Sequence, residues 1–234
     1  MTLKAIPLIA LVTALGVGCN GRSTENRPEG AVPSGPHEHS TGSEHRFPDP
    51  QTYAERLDDP GRDDWQMPEE VVEQLECQPG MTVVDLGAGT GYFVGYLSAA
   101  VDRQGRVLAL DTDRSMVDRI QARIERDGLR NVKPGLIGAG DPELAPRSVD
   151  RILIVNTWHH ISNRLKYAEK LRTALRPGGL VLIVDFTIES PQGPPAAMRL
   201  NHDTVQRELR AAGFEVELVE EPLPYQYLVT GRLP

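Results

Sequence analysis

The stretch "VVDLGAGTGYF", Val83 to Phe93, places Gly87, Gly89 and Gly91 within five residues, directly after an apolar run that reads as a buried strand. A backbone left bare there, with the carboxylate of Asp85 two residues ahead of Gly87, can approach a nucleotide-like ligand laid across a strand end. Two commoner uses of such a loop do not fit. A dinucleotide fingerprint reads Gly-x-Gly-x-x-Gly with its acid about twenty residues on. Here Gly91 comes one place early and Asp85 stands before the loop. A phosphate-binding P-loop follows its last glycine with Lys and then Ser or Thr, and Tyr92 and Phe93 occupy those places.

The elements that hold this loop follow from periodicity. "MTVVDL", "GRVLALD", "NVKPGLIG", "VDRILIVN" and "GGLVLIVDF" are short apolar runs, separated by longer helical patterns such as "RSMVDRIQARIERDG" and "SNRLKYAEKLRTALRPG". Such alternation predicts an open α/β sheet, mostly parallel, with helices on both faces. The closing part adds one helix and two strands divided by a gap too short for a crossover, so the last strand is expected antiparallel to its neighbour. These elements occupy residues 81–234, preceded over 51–80 by an N-terminal cap helix region. Pro68 followed by Glu69 and Glu70 marks a helix start, and Val71, Val72 and Leu75 form its apolar stripe, with Cys77 beside it. The polar segment Asp59 to Gln66 reads either as a lid over a ligand or as a cap in which Trp65 packs.

Composition narrows the partners. The chain has 234 residues, 39% hydrophobic and 25% charged, enough for one globular domain with appendages. A net charge of -8, without a basic cluster, speaks against a nucleic-acid partner and suits a small neutral or cationic substrate. No segment points to a protein partner. Residues 1–19 have the layout of a signal peptide: Lys4, an apolar core from Ala5 to Val17 too short to span a bilayer, then small residues up to Cys19. Gly18-Cys19 resembles a bacterial lipobox, although Gly16 stands where Leu is usual and Leu15 lies one place further back. The expectation is export, with membrane attachment through a lipidated Cys19 and a periplasmic or membrane-anchored location; a cytoplasmic one follows if the signal reading fails. Residues 20–50, rich in Gly, Pro, Ser and charge, read as a flexible linker, and its His37, His39 and His45 as solvated rather than metal-binding.

From Met81 to Leu233 the motifs resemble the class I S-adenosylmethionine-dependent methyltransferases, whose first motif is V-x-D-x-G-x-G-x-G. The resemblance implies a Rossmann-like seven-stranded sheet and S-adenosyl-L-methionine as cofactor. It also implies contacts. The backbone of Gly87, Ala88, Gly89 and Gly91 approaches the cofactor, and Asp85 organises the loop and the cofactor's amino-acid end. Asp111, ending the second strand, takes the ribose hydroxyls, with Thr112 and Asp113 as neighbours. Gly140 and Asp141 lie beside the adenine, Asn156 lies beneath the cofactor, and Thr157, Trp158, His159 and His160 line the reaction cleft.

What the resemblance implies is methyl transfer to a small-molecule acceptor whose reacting centre, O, N or C, stays open. A sulfonium is already an activated methyl donor, so the protein mainly positions the reactants and excludes water. His159 or His160 suits an O- or N-acceptor that must lose a proton. The Asn-Pro-Pro-Tyr signature of DNA and protein-glutamine methylation is missing where "NTWH" stands. Arg199, Asn201 and His202, in the short insertion after the fifth strand, are candidate substrate contacts. A cofactor-binding module without transfer, and an NAD(P)-dependent oxidoreductase on a similar sheet, are the alternatives.

Overall fold

The computed structural model describes residues 54–55, 57–220 and 223–234. The signal-peptide, linker and Cys19 readings fall outside the described residues. Seven strands form one sheet: β1 (Thr82–Leu86), β2 (Arg106–Asp111), β3 (Val132–Leu136), β4 (Val149–Val155), β5 (Leu175–Phe186), β6 (Glu215–Leu218) and β7 (Gln226–Arg232). The helices are α1 (Asp63–Gln66), α2 (Pro68–Glu73), α3 (Val94–Ala100), α4 (Arg114–Asp127), α5 (Arg164–Ala174) and α6 (His202–Ala211). Among the described residues no helix is long and apolar enough to cross a membrane.

The strand order is β3-β2-β1-β4-β5-β7-β6. The first five strands pair in parallel, and β7 runs antiparallel to both β5 and β6. Successive strands step outward from β1 to β3, and the chain then returns to place β4 on the other side of β1. That reversal opens a crevice at the carboxyl ends of β1 and β4, the usual ligand position in open α/β sheets.

The central strands are buried on both faces, which is why they read as unbroken apolar runs. Residue parity divides the core. Val84, Leu86, Ile152 and Ile154 join Leu171 of α5 and Leu209 of α6 in one cluster, while Val83, Leu153 and Leu182 join Val71 of α2 and Leu97 of α3 in the other. The loops after β1 and β2 are thereby anchored to rigid elements. Asp113 caps α4 by accepting from the Ser115 N–H, and Gly128 ends it at φ 65.

β5 begins earlier than its glycines suggested. Val149 pairs with Leu175 but Arg151 pairs with Leu180, so the Arg-Pro-Gly-Gly turn bulges out of the ladder and the strand resumes beyond it.

Candidate active site

The glycine loop leaves β1 through Gly87, Gly89 and Gly91, all at positive φ. Gly87 sits against the loop that follows β4, where an added Cβ would lie 2.3 Å from Thr157 Oγ1. The loop's amides are largely spent on the fold. Gly87 and Ala88 donate to the Leu110 carbonyl at 2.8 and 3.0 Å, and Gly91 donates to the Ala88 carbonyl. Gly89 donates to Asp111 Oδ2 at 2.8 Å, tying the loop to the end of β2. Asp111 Oδ1 accepts from the Asp113 N–H. Burial raises the Asp111 carboxyl above its usual range, and backbone donors from Asp113, Gly89 and Thr112 oppose the shift. The carboxylate keeps acceptor capacity for a further donor such as a hydroxyl. Ile137 donates its N–H to the Asp111 carbonyl, and Leu136, paired with Asp111 in register, is an exposed apolar side chain beside it.

Asp85 is 2% exposed and its Oδ2 has no hydrogen-bond partner. Burial, reinforced by Asp111, pushes its carboxyl up to about 7, and the positive charge of Arg62 pulls the other way. An orphaned buried carboxyl beside a bare backbone is a site that a cationic group would complete.

Arg62 belongs to the segment left open between lid and cap. That segment reaches both sides of the crevice. At the glycine loop, Asp58 accepts from Thr90 Oγ1 at 2.7 Å and pairs with Arg123 at 2.5 Å, and Tyr92 hydrogen-bonds Asp63. The Arg62 guanidinium lies 3.8 Å from the centroid of the Tyr92 ring. At the far side, the Trp65 ring packs 5.7 Å from Phe186 and 6.3 Å from Tyr225. Buried Gln66 donates to Gln226 Oε1 at 2.5 Å, and Gln226 donates to Asn156 Oδ1 at 2.6 Å. Trp65 does pack, and the segment spans the crevice as a strap.

Beyond β4, the four residues expected along the cleft divide. Thr157 covers Gly87. Trp158 is fully buried, its indole N–H on Glu208 at 2.9 Å, so it belongs to the core beneath α6 and not to the cleft. His159 Nδ1 lies 2.8 Å from Asp185 Oδ2, and the two side chains are 2% and 0% exposed. The exposed His160 stacks on it, ring centroids 4.1 Å apart. Asn156 holds a left-handed backbone at φ 53 beside the Gln226 amide.

Other expected residues are used elsewhere. Asp141 pairs with Lys170 at 2.7 Å and accepts from the Glu143 N–H, and the same lysine binds the Gly140 carbonyl. Lys170 lies in the second half of α5, so this exposed pair ties the loop after β3 to that helix. The lysine lowers the Asp141 carboxyl below its ordinary value. Arg199 gives its guanidinium to the carbonyls of Pro194, Thr187, Ile188, Ser190 and Gln192, closing its own loop. Asn201 caps α6, and the ring of His202 lies 6.0 Å from that of Tyr227.

Asp185 and Gln226 are the residues that sequence reasoning missed, while Arg62 and Gln66 lay within the polar segment read as lid or cap, without roles of their own. Asp185 carried one signal, an acid closing an otherwise apolar strand; Gln226 carried none.

Comparison with known proteins agrees with this geometry. A family model described as a methyltransferase domain matches residues 83–179. The chain is similar to the ubiquinone/menaquinone biosynthesis C-methyltransferase UbiE of Hydrogenovibrio crunogenus, 29% identical over 124 residues, 50% of this chain and 46% of that one. An uncharacterized 37.1 kDa protein in transposon TN4556 of Streptomyces fradiae is 30% identical over 113 residues, 48% of this chain and 32% of that one. The chain thus spans less than half the length of these curated relatives. The crystal structure of a SAM-dependent methyltransferase from Aquifex aeolicus superposes with a TM-score of 0.75 at 31% identity, covering 80% of this chain and 99% of that one.

Proposed function

Since this chain belongs to the S-adenosylmethionine-dependent methyltransferases, whose cofactor is S-adenosylmethionine, we propose that it methylates a small-molecule acceptor at an oxygen, nitrogen or carbon centre that loses a proton in the transfer. Membership removes the oxidoreductase alternative. The cofactor suits the residues present: the orphaned Asp85 oxygen answers its ammonium, and Asp111 answers its ribose hydroxyls. When bound, the sulfonium supplies an activated methyl group.

The observation that carries the acceptor reading is the His159–Asp185 pair. A buried carboxylate on Nδ1 fixes the imidazole tautomer, leaves Nε2 as the proton acceptor and stabilises the imidazolium that forms. A thiolate nucleophile would need no such base, whereas an oxygen, nitrogen or carbon acceptor must give up a proton as it is methylated. Asn156 and Thr157 hold the floor of the crevice against the glycine loop, and the strap excludes water from above.

One observation favours a second reading, a binding module that has lost transfer: the His159 side chain is only 2% exposed. Incubating the protein with methyl-labelled cofactor and fractionated small-molecule extracts separates the two. Label in an O-, N- or C-methylated product supports the proposal; S-adenosylhomocysteine binding with no labelled product from any fraction supports the second reading.

A further inference from the structure

The amino-acid end of the cofactor is a zwitterion, and the inference that follows rests on the cofactor reading above. Asp85 supplies the anion for its ammonium. Its carboxylate needs donors, and the obvious ones are committed. The N–H groups of Gly87 and Ala88 go to Leu110, that of Gly89 to Asp111 and that of Gly91 to Ala88. With those four amides taken, a side-chain cation is the fitting donor for the carboxylate.

Two arginines touch the loop. Arg123 is bound to the Thr90 carbonyl and to Asp58, anchoring the strap from α4. Arg62 is placed differently. It is 6% exposed, its guanidinium carbon lies 3.8 Å from the ring centroid of Tyr92, directly after Gly91, and it donates to the Leu57 carbonyl and to Gln66 Oε1 at 3.2 Å. The Leu57 side chain in turn lies against Gly89, 3.0 Å from where a Cβ would stand. The positive charge of Arg62 also acts on Asp85, which places cation and anion near the same loop. A guanidinium fork matches a carboxylate in shape, and burial strengthens such a charge-assisted pair.

We propose that Arg62 binds the carboxylate of the cofactor's amino-acid end, so that the strap is a component of the cofactor site and not only a cover over it. Cofactor exchange then requires the strap to lift, because its ends are held by Asp58 on one side and by Trp65 and Gln66 on the other.

The test is calorimetric. S-adenosylhomocysteine is compared with S-adenosyl-3-thiopropylamine, which keeps the adenosine and the ammonium and lacks the carboxylate. The full chain should prefer the first by about ten-fold or more, the scale of a charge-assisted hydrogen bond. In Arg62→Met the preference should fall close to one, through weaker S-adenosylhomocysteine binding alone, and Arg62→Lys should recover part of it. Because the ratio is internal to each variant, partial unfolding moves both ligands together and leaves it unchanged. Equal weakening of both ligands, or no change in either, overturns the proposal. Failure of the unaltered protein to bind S-adenosylhomocysteine would instead remove the cofactor reading, and this inference with it.

Discussion

Nδ1 of His159 and Oδ2 of Asp185 meet at 2.8 Å inside the protein, joining the loop after β4 to the end of β5. Asp185 also accepts from the Phe186 N–H, which holds the carboxylate in place. The pair therefore bridges the ends of two adjacent parallel strands, and its geometry is inherited from the sheet.

Asp185→Asn retains volume but loses the charge that holds the imidazole. It should lower kcat for an O- or N-acceptor by about 100-fold or more while leaving S-adenosylhomocysteine affinity within error. The comparison of kcat with ligand affinity decides, since a structural defect would degrade both. His159→Ala should in addition destabilise the fold by about 3–5 kcal/mol, because it strands a buried carboxylate. Urea melts read that directly.

Gly87→Ala meets two obstacles, a backbone at φ +76 and the Thr157 side chain at 2.3 Å. A cost of about 1–3 kcal/mol is expected, with cofactor affinity reduced more strongly than stability. Gly140→Ala, where no atom lies within 4 Å of the added carbon, should be neutral in both measurements.

The buried Asp85 gives stability a pH dependence. Its carboxyl rises from 3.8 to about 7 on folding, so the folded protein holds a proton that the unfolded chain has released. The contribution is fully present below the unfolded value and is lost as pH rises through about 7. The ligand-free protein should melt at progressively lower temperature from pH 5 to pH 8, by no more than about 4 kcal/mol in all. Asp85→Asn should flatten that slope. Cofactor affinity should move oppositely, strengthening as Asp85 ionises, and calorimetry in buffers of different ionisation enthalpy would show proton release on binding.

Gln66 and Gln226 should behave as one unit. Replacing either by Leu leaves the other's amide buried without its partner, at about 1–3 kcal/mol each. The double variant should cost less than the sum, which a thermodynamic cycle measures. Hydrogen exchange across the strap should rise in each variant, while exchange in β1 and β4 stays unchanged.

Arg199→Ala should loosen the loop from Thr187 to Arg199, because five carbonyls lose their shared donor. Protease sensitivity confined to that loop is the expected readout. Cofactor affinity should not change, since every hydrogen bond the Arg199 guanidinium makes stays within its own loop.

Much of this was determined by the sequence alone. Strand and helix alternation is a local property, written in the burial of successive residues, so the sheet, its helices and the antiparallel last strand followed from periodicity. The glycine spacing and the acid ending β2 are likewise local, because a bare turn and a strand-end carboxylate do their work within a few residues of the strands that carry them. Tertiary structure decided what depends on distant segments meeting. Asp185 finds His159 across 26 residues and Gln66 finds Gln226 across 160, and neither pairing leaves a periodic trace. The same holds for a residue that went elsewhere. Trp158 was read into the cleft, yet apolar burial and the Glu208 acceptor draw it into the core. Sequence specifies which groups can act, but which of them face the crevice is set by sheet order, because only the return of β4 to the side of β1 brings the strap, the glycine loop and the histidines to one edge.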